Sequence, residues 1–392
     1  MTPKPSSTSG KKTLQQWLQW QELLHPSEID LGLERVQQVI QLLLPEYLNN
    51  TTQHFPFKII TIAGTNGKGS SVAMLESILS QAGYNVGSYT SPHLLNYNER
   101  IKINQQSVSD KLICQAFERI DSARGEISLT YFEFATLAAI DIFCQPNSIS
   151  TEKRLFCDVV ILEVGLGGRL DAVNVIDPDV ALVTTVDIDH QDWLGSDINT
   201  IAMEKAGVFR HDKPAIYGDN DLPESIANKV IEDDLEFYQF GEDYCFELDA
   251  TQWHWQILSQ YPKLESRDAL SFPGLKGKIQ LKNASNVLMV LELLKQSLPV
   301  SQQDINLGLS RLNLAGRFQI LASENEPLRN TPIIFDVAHN EQAAKSLRFS
   351  IEEYMNSDDD IKSSCSATQL HVIIGMLKDK EIAKVLDVFK DI

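Results

Sequence analysis

The stretch at residues 64–70, Gly-Thr-Asn-Gly-Lys-Gly-Ser, constrains this chain more than any other. It follows an apolar run at residues 57–63. It precedes a helical pattern in which Val72, Leu75, Ile78, Leu79 and Ala82 share one face, with Gly83 standing where a helix stops. In a strand–glycine turn–helix setting, backbone N–H groups and the helix N-terminus can cradle phosphate oxygens. Lys68 then adds a point charge for the terminal phosphates, and Ser70 a hydroxyl near a metal. The match to the common GxxxxGK[ST] loop is imperfect. Ile62 occupies the place of its first glycine, and Gly69 intervenes between Lys68 and Ser70. The plainer alternative is an ordinary glycine-rich turn.

Such a loop calls for a parallel sheet around it. Residues 159–164 (VVILEV) and 180–186 (VALVTTV) are nearly continuous apolar runs, as strands covered on both faces should be. Helical patterns alternate with them, which predicts an α/β fold: a parallel-sheet domain carrying the phosphate loop. Helices are expected within residues 13–48, near Asn283 and near Gln302. Alternating aromatic and polar residues from 237 to 282 predict short antiparallel strands. The loop Leu314-Ala315-Gly316-Arg317 is the expected domain boundary. Beyond it are predicted a strand at 333–337, a helix at 341–354, an acidic loop at Asp358, Asp359 and Asp360, a strand at 371–374 and a helix from about Asp379. The expected organisation is a disordered tail at 1–12, a central domain at 13–318 and a smaller C-terminal domain at 319–392.

Polar residues fall where such a sheet would use them. Glu163 ends one buried strand, and Asp187, Asp189 and His190 lie just past another. Ligands of open parallel sheets bind outside the carboxyl ends of the strands. Taken singly, Glu163 could be a cap or ion-pair partner and His190 a hydrogen-bonded core residue. Oxygen ligands suit Mg²⁺ carried on nucleotide phosphates, and a single histidine among them also fits Mn²⁺. Residues 165–170 (GLGGRL) make a poor dinucleotide fingerprint but a reasonable tight loop beside a phosphate or acyl site; for Arg169 a functional and a solvated role both stay open.

Composition excludes several classes. The chain has 392 residues, enough for two α/β domains, and a net charge of −19, which repels nucleic acid and anionic membrane. No run reaches the ~18 apolar residues of a membrane helix. The polar N-terminus lacks a signal-peptide core, so the expected location is the cytoplasm. Five scattered cysteines form no CxxC and read as reduced thiols.

With these residues in view, the chain resembles the folylpolyglutamate synthase/dihydrofolate synthase family of the Mur ligase superfamily. The resemblance rests on AGTNGKGS (63–70), SPHLLNYNERIKI (91–103), SLTYFEF (128–134), ILEVGLGGRLDAVNV (161–175) and DIDHQDWLG (187–195). It continues through EKAGVFR (204–210), GRFQI (316–320), DVAHN (336–340) and IIGMLKDK (373–380), all in the family's order. It implies an ATP-dependent ligase that adds L-glutamate to dihydropteroate, to the glutamate tail of folates, or to both. It implies that Thr65, Asn66, Gly67, Lys68, Gly69 and Ser70 hold ATP phosphates. Asn283, Arg317, Asp336 and His339 then complete the nucleotide site, and Ser91, Glu163 and His190 ligate two Mg²⁺. Lys68, Glu163, His190 and Lys205 form the implied catalytic set, with Lys205 matching a lysine that is carbamylated in this superfamily. Thr130, Tyr131, Phe132, Glu133, Leu170, Asp171 and Ala172 match segments lining the pterin pocket. The residues themselves allow plainer readings: Lys205 as a surface ion pair, Tyr131 and Phe132 as core.

The resemblance also implies a Rossmann-like C-terminal domain with more strands than the two read here. That domain is expected to be short and turnover impaired. Small-molecule substrates and a monomer are expected, without nucleic acid or membrane. Two rivals stay open: a Mur-type ligase acting on a UDP-linked acid, which the lack of a UDP-binding domain ahead of Gly64 counts against, and a nucleotide-binding module without turnover.

Overall fold

The computed structural model describes residues 12–48, 53–145, 156–249, 251–258, 264–322, 332–357, 370–377, 380–390 and 392. Two helices, α1 (Leu14–Glu22) and α2 (Glu34–Leu43), lead into strand β1 (Lys58–Ala63) and helix α3 (Lys68–Gln81). Next come β2 (Val86–Tyr89), β3 (Ile101–Ile103), β4 (Gln106–Ser107), α4 (Asp110–Arg124) and α5 (Tyr131–Cys144). Then follow β5 (Val159–Glu163), β6 (Val180–Val183), α6 (Gln191–Leu194), α7 (Ile198–Ala206), β7 (Ala215–Tyr217), α8 (Glu224–Glu232) and β8 (Phe237–Gln239). These eight strands form one sheet in the order β4-β3-β2-β5-β1-β6-β7-β8. Strands β2, β5, β1, β6, β7 and β8 run parallel, and β3 and β4 make an antiparallel edge.

The pattern that predicted buried strands works by alternation. Ile59 and Ala63 face one core with Val160, Leu162, Ala181 and Val183. Ile60 and Ile62 face the other with Val159, Ile161, Val180 and Leu182. Successive side chains of a strand point to opposite faces, so a strand apolar at every position needs cover on both. Helices α1, α2, α4 and α5 cover the first face through Trp17, Val36, Phe117 and Phe134. Helix α3 covers the second, with α9 (Lys278–Leu293) and α10 (Gln302–Ser310). Helix α10 crosses α3 at Gly308, where a Cβ would come within 2.6 Å of Ile78 Cα. Among the described residues Cys114, Cys144 and Cys245 are free thiols, and Cys144 and Cys157 are buried.

The aromatic stretch resolves into two fates. Strands β9 (Tyr244–Leu248), β10 (Trp253–Ile257) and β11 (Arg267–Leu270) pair antiparallel, with Trp253 and Trp255 fully buried. Phe237, expected among them, belongs instead to β8, which extends the parallel sheet because α8 carries the chain back across. Helix α9 starts five residues before the expected Asn283, which places Asn283 on its second turn.

Past Arg317, β12 (Gln319–Ala322) pairs antiparallel with β13 (Pro332–Phe335), followed by α11 (Glu341–Ser357) and α12 (Ile382–Val388). The strand expected at 371–374 does not form. Among the described residues no strand lies beside it, and Ile373 is 98% exposed, so its backbone has no ladder to join. Residues 319–322, not expected as a strand, pair with β13 in its place. The acidic loop at 358–360 and the tail at 1–11 lie outside the described residues. Lys12, assigned to that tail, packs its ammonium over Trp17 and Trp20 at 3.9 and 4.2 Å. No helix among the described residues is long and apolar enough to cross a membrane.

Candidate functional site

Register brings the carboxyl ends of the central strands level: Ile62 pairs with Glu163 on one side and Ala63 with Val183 on the other. Strand β6 stops three residues short of the run expected from sequence, because its next residues turn to hold the phosphate loop. Thr184 Oγ1 donates to Asn66 O at 2.6 Å, Thr185 Oγ1 accepts from Asn66 N at 3.1 Å, and Thr65 N donates to Thr185 O at 2.8 Å. Gly67 has φ 90°, and a Cβ on it would lie 2.6 Å from Asn283 Oδ1. Only glycine takes that conformation freely and leaves α9 this close. Asn283 Oδ1 is itself buried without a hydrogen-bond partner, a pre-placed acceptor beside the loop.

Lys68 opens α3, and its ammonium donates to Gly64 O at 2.8 Å and Thr65 O at 3.1 Å. Burial lowers its pKa, against the pull of Glu163 and Asp189. Glu163 is 5% exposed; its Oε2 accepts from Ser91 N at 3.3 Å, and burial raises its carboxyl, with Lys68 opposing. His190 stands in the left-handed region at φ 52° and caps α6. Burial brings its pKa down to about 4, so the imidazole is neutral and can serve as a ligand. Lys205, near the end of α7, is 4% exposed and makes no ion pair among the described residues. Burial, then Lys68, brings its pKa down to about 7. The surface ion pair allowed by sequence is thereby excluded: Arg169 pairs with Glu204 instead, at 2.7 Å.

A cleft of about 710 Å³ collects these groups. It is lined by Gly64, Thr65, Asn66, Gly67, Lys68, Gly69 and Ser70, by Ser91, Glu163, His190, Lys205 and Asn283, and from the C-terminal side by Arg317, Asp336 and His339. Asp336 also shapes the chain there, accepting from Phe318 N and Ala338 N at 2.8 Å each. Ser91, Glu163 and His190 offer hydroxyl, carboxylate and imidazole; the two oxygen donors fit Mg²⁺ carried on phosphates, and the imidazole also fits Mn²⁺. Among the described residues no three His, Cys, Asp or Glu side chains form a ready-made metal cage, so phosphate oxygens would have to complete the coordination.

The residues matched to a pterin pocket lie beside this cleft rather than on it. Thr130 and Glu133 close a capping box on α5, and Glu133 also receives Arg35 at 3.0 Å. The Asp171 carboxylate accepts from Gly165 N, Leu166 N and Val173 N at 2.8–3.0 Å and so folds the glycine loop. Ala172 is buried and Leu170 half-buried. Tyr131 lies edge-on to Tyr97, and Phe132 packs against Gly165, which lines the cleft.

Sequence reasoning missed the seam with the C-terminal segment. Asn66 Nδ2 donates to Gln342 Oε1 at 2.6 Å and to Asn340 Oδ1 at 3.2 Å; Asn340 Nδ2 returns a bond to Asn66 Oδ1 at 3.0 Å. Lys380 Nζ donates to Asp189 Oδ1 at 2.7 Å. Burial works to raise the Asp189 carboxyl, but His339 and Lys380 hold it well below the usual range. Asn340 and Lys380 end recognisable motifs, but no spacing rule pairs residues this far apart.

A parallel sheet whose phosphate loop opens onto a cleft at the carboxyl ends of its strands, also lined by Arg317, Asp336 and His339, defines a phosphate-loop enzyme. No family model matches the chain. It is 40% identical over 379 residues to the dihydrofolate synthase/folylpolyglutamate synthase of Escherichia coli, covering 97% of this chain and 80% of that protein. It is 37% identical to the Haemophilus influenzae protein of the same name, covering 94% and 78%. Among solved structures, E. coli FolC in complex with DHPP and ADP superposes with a TM-score of 0.80 at 39% identity, covering 96% of this chain and 81% of that one. The bifunctional folylpolyglutamate synthase/dihydrofolate synthase with Mn, AMPPNP and L-glutamate bound superposes with a TM-score of 0.80 at 40% identity, covering 99% and 82%. This chain belongs to the dihydrofolate synthase/folylpolyglutamate synthase family.

Proposed function

We propose that this protein uses ATP to join L-glutamate to dihydropteroate and to the glutamate tail of folates. The observation that carries the reading is the single cleft shared by the phosphate loop, Glu163, His190, Lys205 and the C-terminal residues Arg317, Asp336 and His339. Relatives solved with DHPP and ADP, and with AMPPNP and L-glutamate, support it.

The acceptor carboxylate attacks the γ-phosphorus of ATP, giving an acyl phosphate and ADP. The glutamate amine then displaces phosphate and leaves an amide. The loop N–H groups and Lys68 orient the phosphates, and Lys68 neutralises charge on the transferred group. Ser91, Glu163 and His190 would hold the two Mg²⁺, or Mn²⁺. Divalent ions bound there supply charge neutralisation to the phosphoryl oxygens. Carbamylation of Lys205 would turn a buried cation into an anion facing the same site. Residues 13–318 and 319–392 act as two domains, and their closure over ATP excludes water from the acyl phosphate. Phe132, beside Gly165, offers a ring for a flat heterocycle next to the phosphates.

The protein acts as a cytoplasmic monomer on small molecules, and the net charge of −19 argues against nucleic acid. ADP release is the test, measured with dihydropteroate, tetrahydrofolate or a UDP-linked acid, each with and without L-glutamate. Release that requires a pterin-bearing acceptor and glutamate is expected. Release with the UDP-linked acid alone, or with no acceptor, would overturn the reading.

A further inference from the structure

Asp189 and Lys380 meet across the seam with both side chains about nine-tenths buried, at 9% and 10% exposure. An exposed pair contributes little, but removing one partner of a buried pair strands the other's charge. Asp189 Oδ1 also accepts from His190 N at 2.8 Å, and Asp189 Oδ2 lies 3.6 Å from His339 Nε2. The next residue, His190, adopts a left-handed conformation that a side chain with Cβ resists, so something must hold it there. Its N–H is held by Asp189 Oδ1, its carbonyl by Trp193 N and Leu194 N, and Asp189 is bonded in turn by Lys380.

A second consequence is electrostatic. The Asp189 charge acts at a distance on Lys68 and Lys205 as well as on His190. With Lys380 bound, that charge is satisfied from the C-terminal side. Meanwhile Asn340 and Gln342 grip Asn66 in the phosphate loop itself. The C-terminal segment therefore touches the carboxyl edge of the sheet at two places, Asn66 and Asp189.

We propose that Lys380 is a positioning residue for the ligation: by docking on Asp189 it sets the His190 turn at the carboxyl edge of the sheet. This rests on the ligase reading of the cleft. Lys380 touches no reacting atom in this account; it acts through Asp189.

The test compares Lys380→Met, Lys380→Arg, Asp189→Asn and the Asp189→Asn/Lys380→Met double variant in the full chain. Two readouts are used: kcat with KM for ATP, acceptor and glutamate, and amide hydrogen exchange over residues 187–194 with AMPPNP and Mn²⁺. Lys380→Met should lower kcat about tenfold or more while the KM for ATP moves less than about threefold. Lys380→Arg, which keeps the charge, should recover most of the loss. In the Asp189→Asn background the Met substitution should cost less than about twofold, because the pair is already broken. Exchange over 187–194 should speed up in Lys380→Met. A kcat within about twofold of the parent overturns the proposal, as do effects that multiply in the double variant or unchanged exchange. If the parent shows no acceptor-dependent ADP release, the ligase reading falls, and the exchange experiment still decides whether Lys380 sets the turn.

Discussion

The side-chain amide of Asn66 donates to Gln342 Oε1 at 2.6 Å, so the phosphate loop is tied to a residue 276 positions later in the chain. A loop that binds phosphate through its backbone is thus partly held by the segment that faces it. Loop and facing segment form one site, and predictions about either must consider both.

Lys68→Ala should abolish ligation while leaving the fold intact. Among the described residues the ammonium donates to two carbonyls of its own loop and belongs to neither core cluster, so its removal opens no cavity there. Loss of one donor to a developing anion typically costs about 10²–10³ in kcat. The check is kcat for ADP release alongside thermal unfolding. Turnover near the parent level in a folded variant would withdraw the phosphate assignment.

Glu163→Gln keeps the side-chain shape and removes a charge from a residue that is 5% exposed. Activity should fall by about 10²-fold or more, and the Mg²⁺ or Mn²⁺ concentration for half-maximal rate should rise. A metal titration decides it: an unchanged midpoint assigns Glu163 to structure alone.

Lys205 is placed for carbamylation by its burial. With a pKa of about 7, a large share of its amines is neutral at pH 7–8, and only the neutral amine reacts with CO₂. Lys205→Ala should lose activity that a short carboxylic acid in the buffer partly restores. A crystal structure at neutral pH is the direct check, and density for an unmodified ammonium turned away from the cleft would count against it.

Asp171 predicts a pH dependence of stability. Burial pushes its carboxyl up to about 6, despite three backbone donors. Between the unfolded value of about 3.9 and 6 the folded protein binds more protons, so this group's contribution to stability falls as pH rises through that window. Asp171→Asn removes the titration and at least one accepted hydrogen bond, and should destabilise by about 1–3 kcal/mol at pH 4. The gap between parent and variant should narrow as pH rises from 4 to 7. Thermal melts across that range test the sign, and a widening gap would refute it.

Patterns local in the chain were legible from the sequence. The alternation of Ile59, Ile60, Ile62 and Ala63 required a sheet covered on both faces, and residues 64–70 required a strand before and a helix after. The ordered motifs of the sequence contain Glu163, His190, Lys205 and Arg317, and all four line the cleft. Residues 371–374 show the limit: an apolar run has strand character, but a strand exists only where another backbone offers hydrogen bonds. Only the tertiary structure could decide that Lys205 is buried rather than paired at the surface, that Glu133 meets Arg35, and that Asp189 meets Lys380. Periodicity encodes which face a side chain takes, because that depends on neighbours a few residues away. Which partner these charges find depends on distant segments, 98 residues apart for Arg35 and Glu133 and 191 for Asp189 and Lys380, and is fixed only when those segments come together.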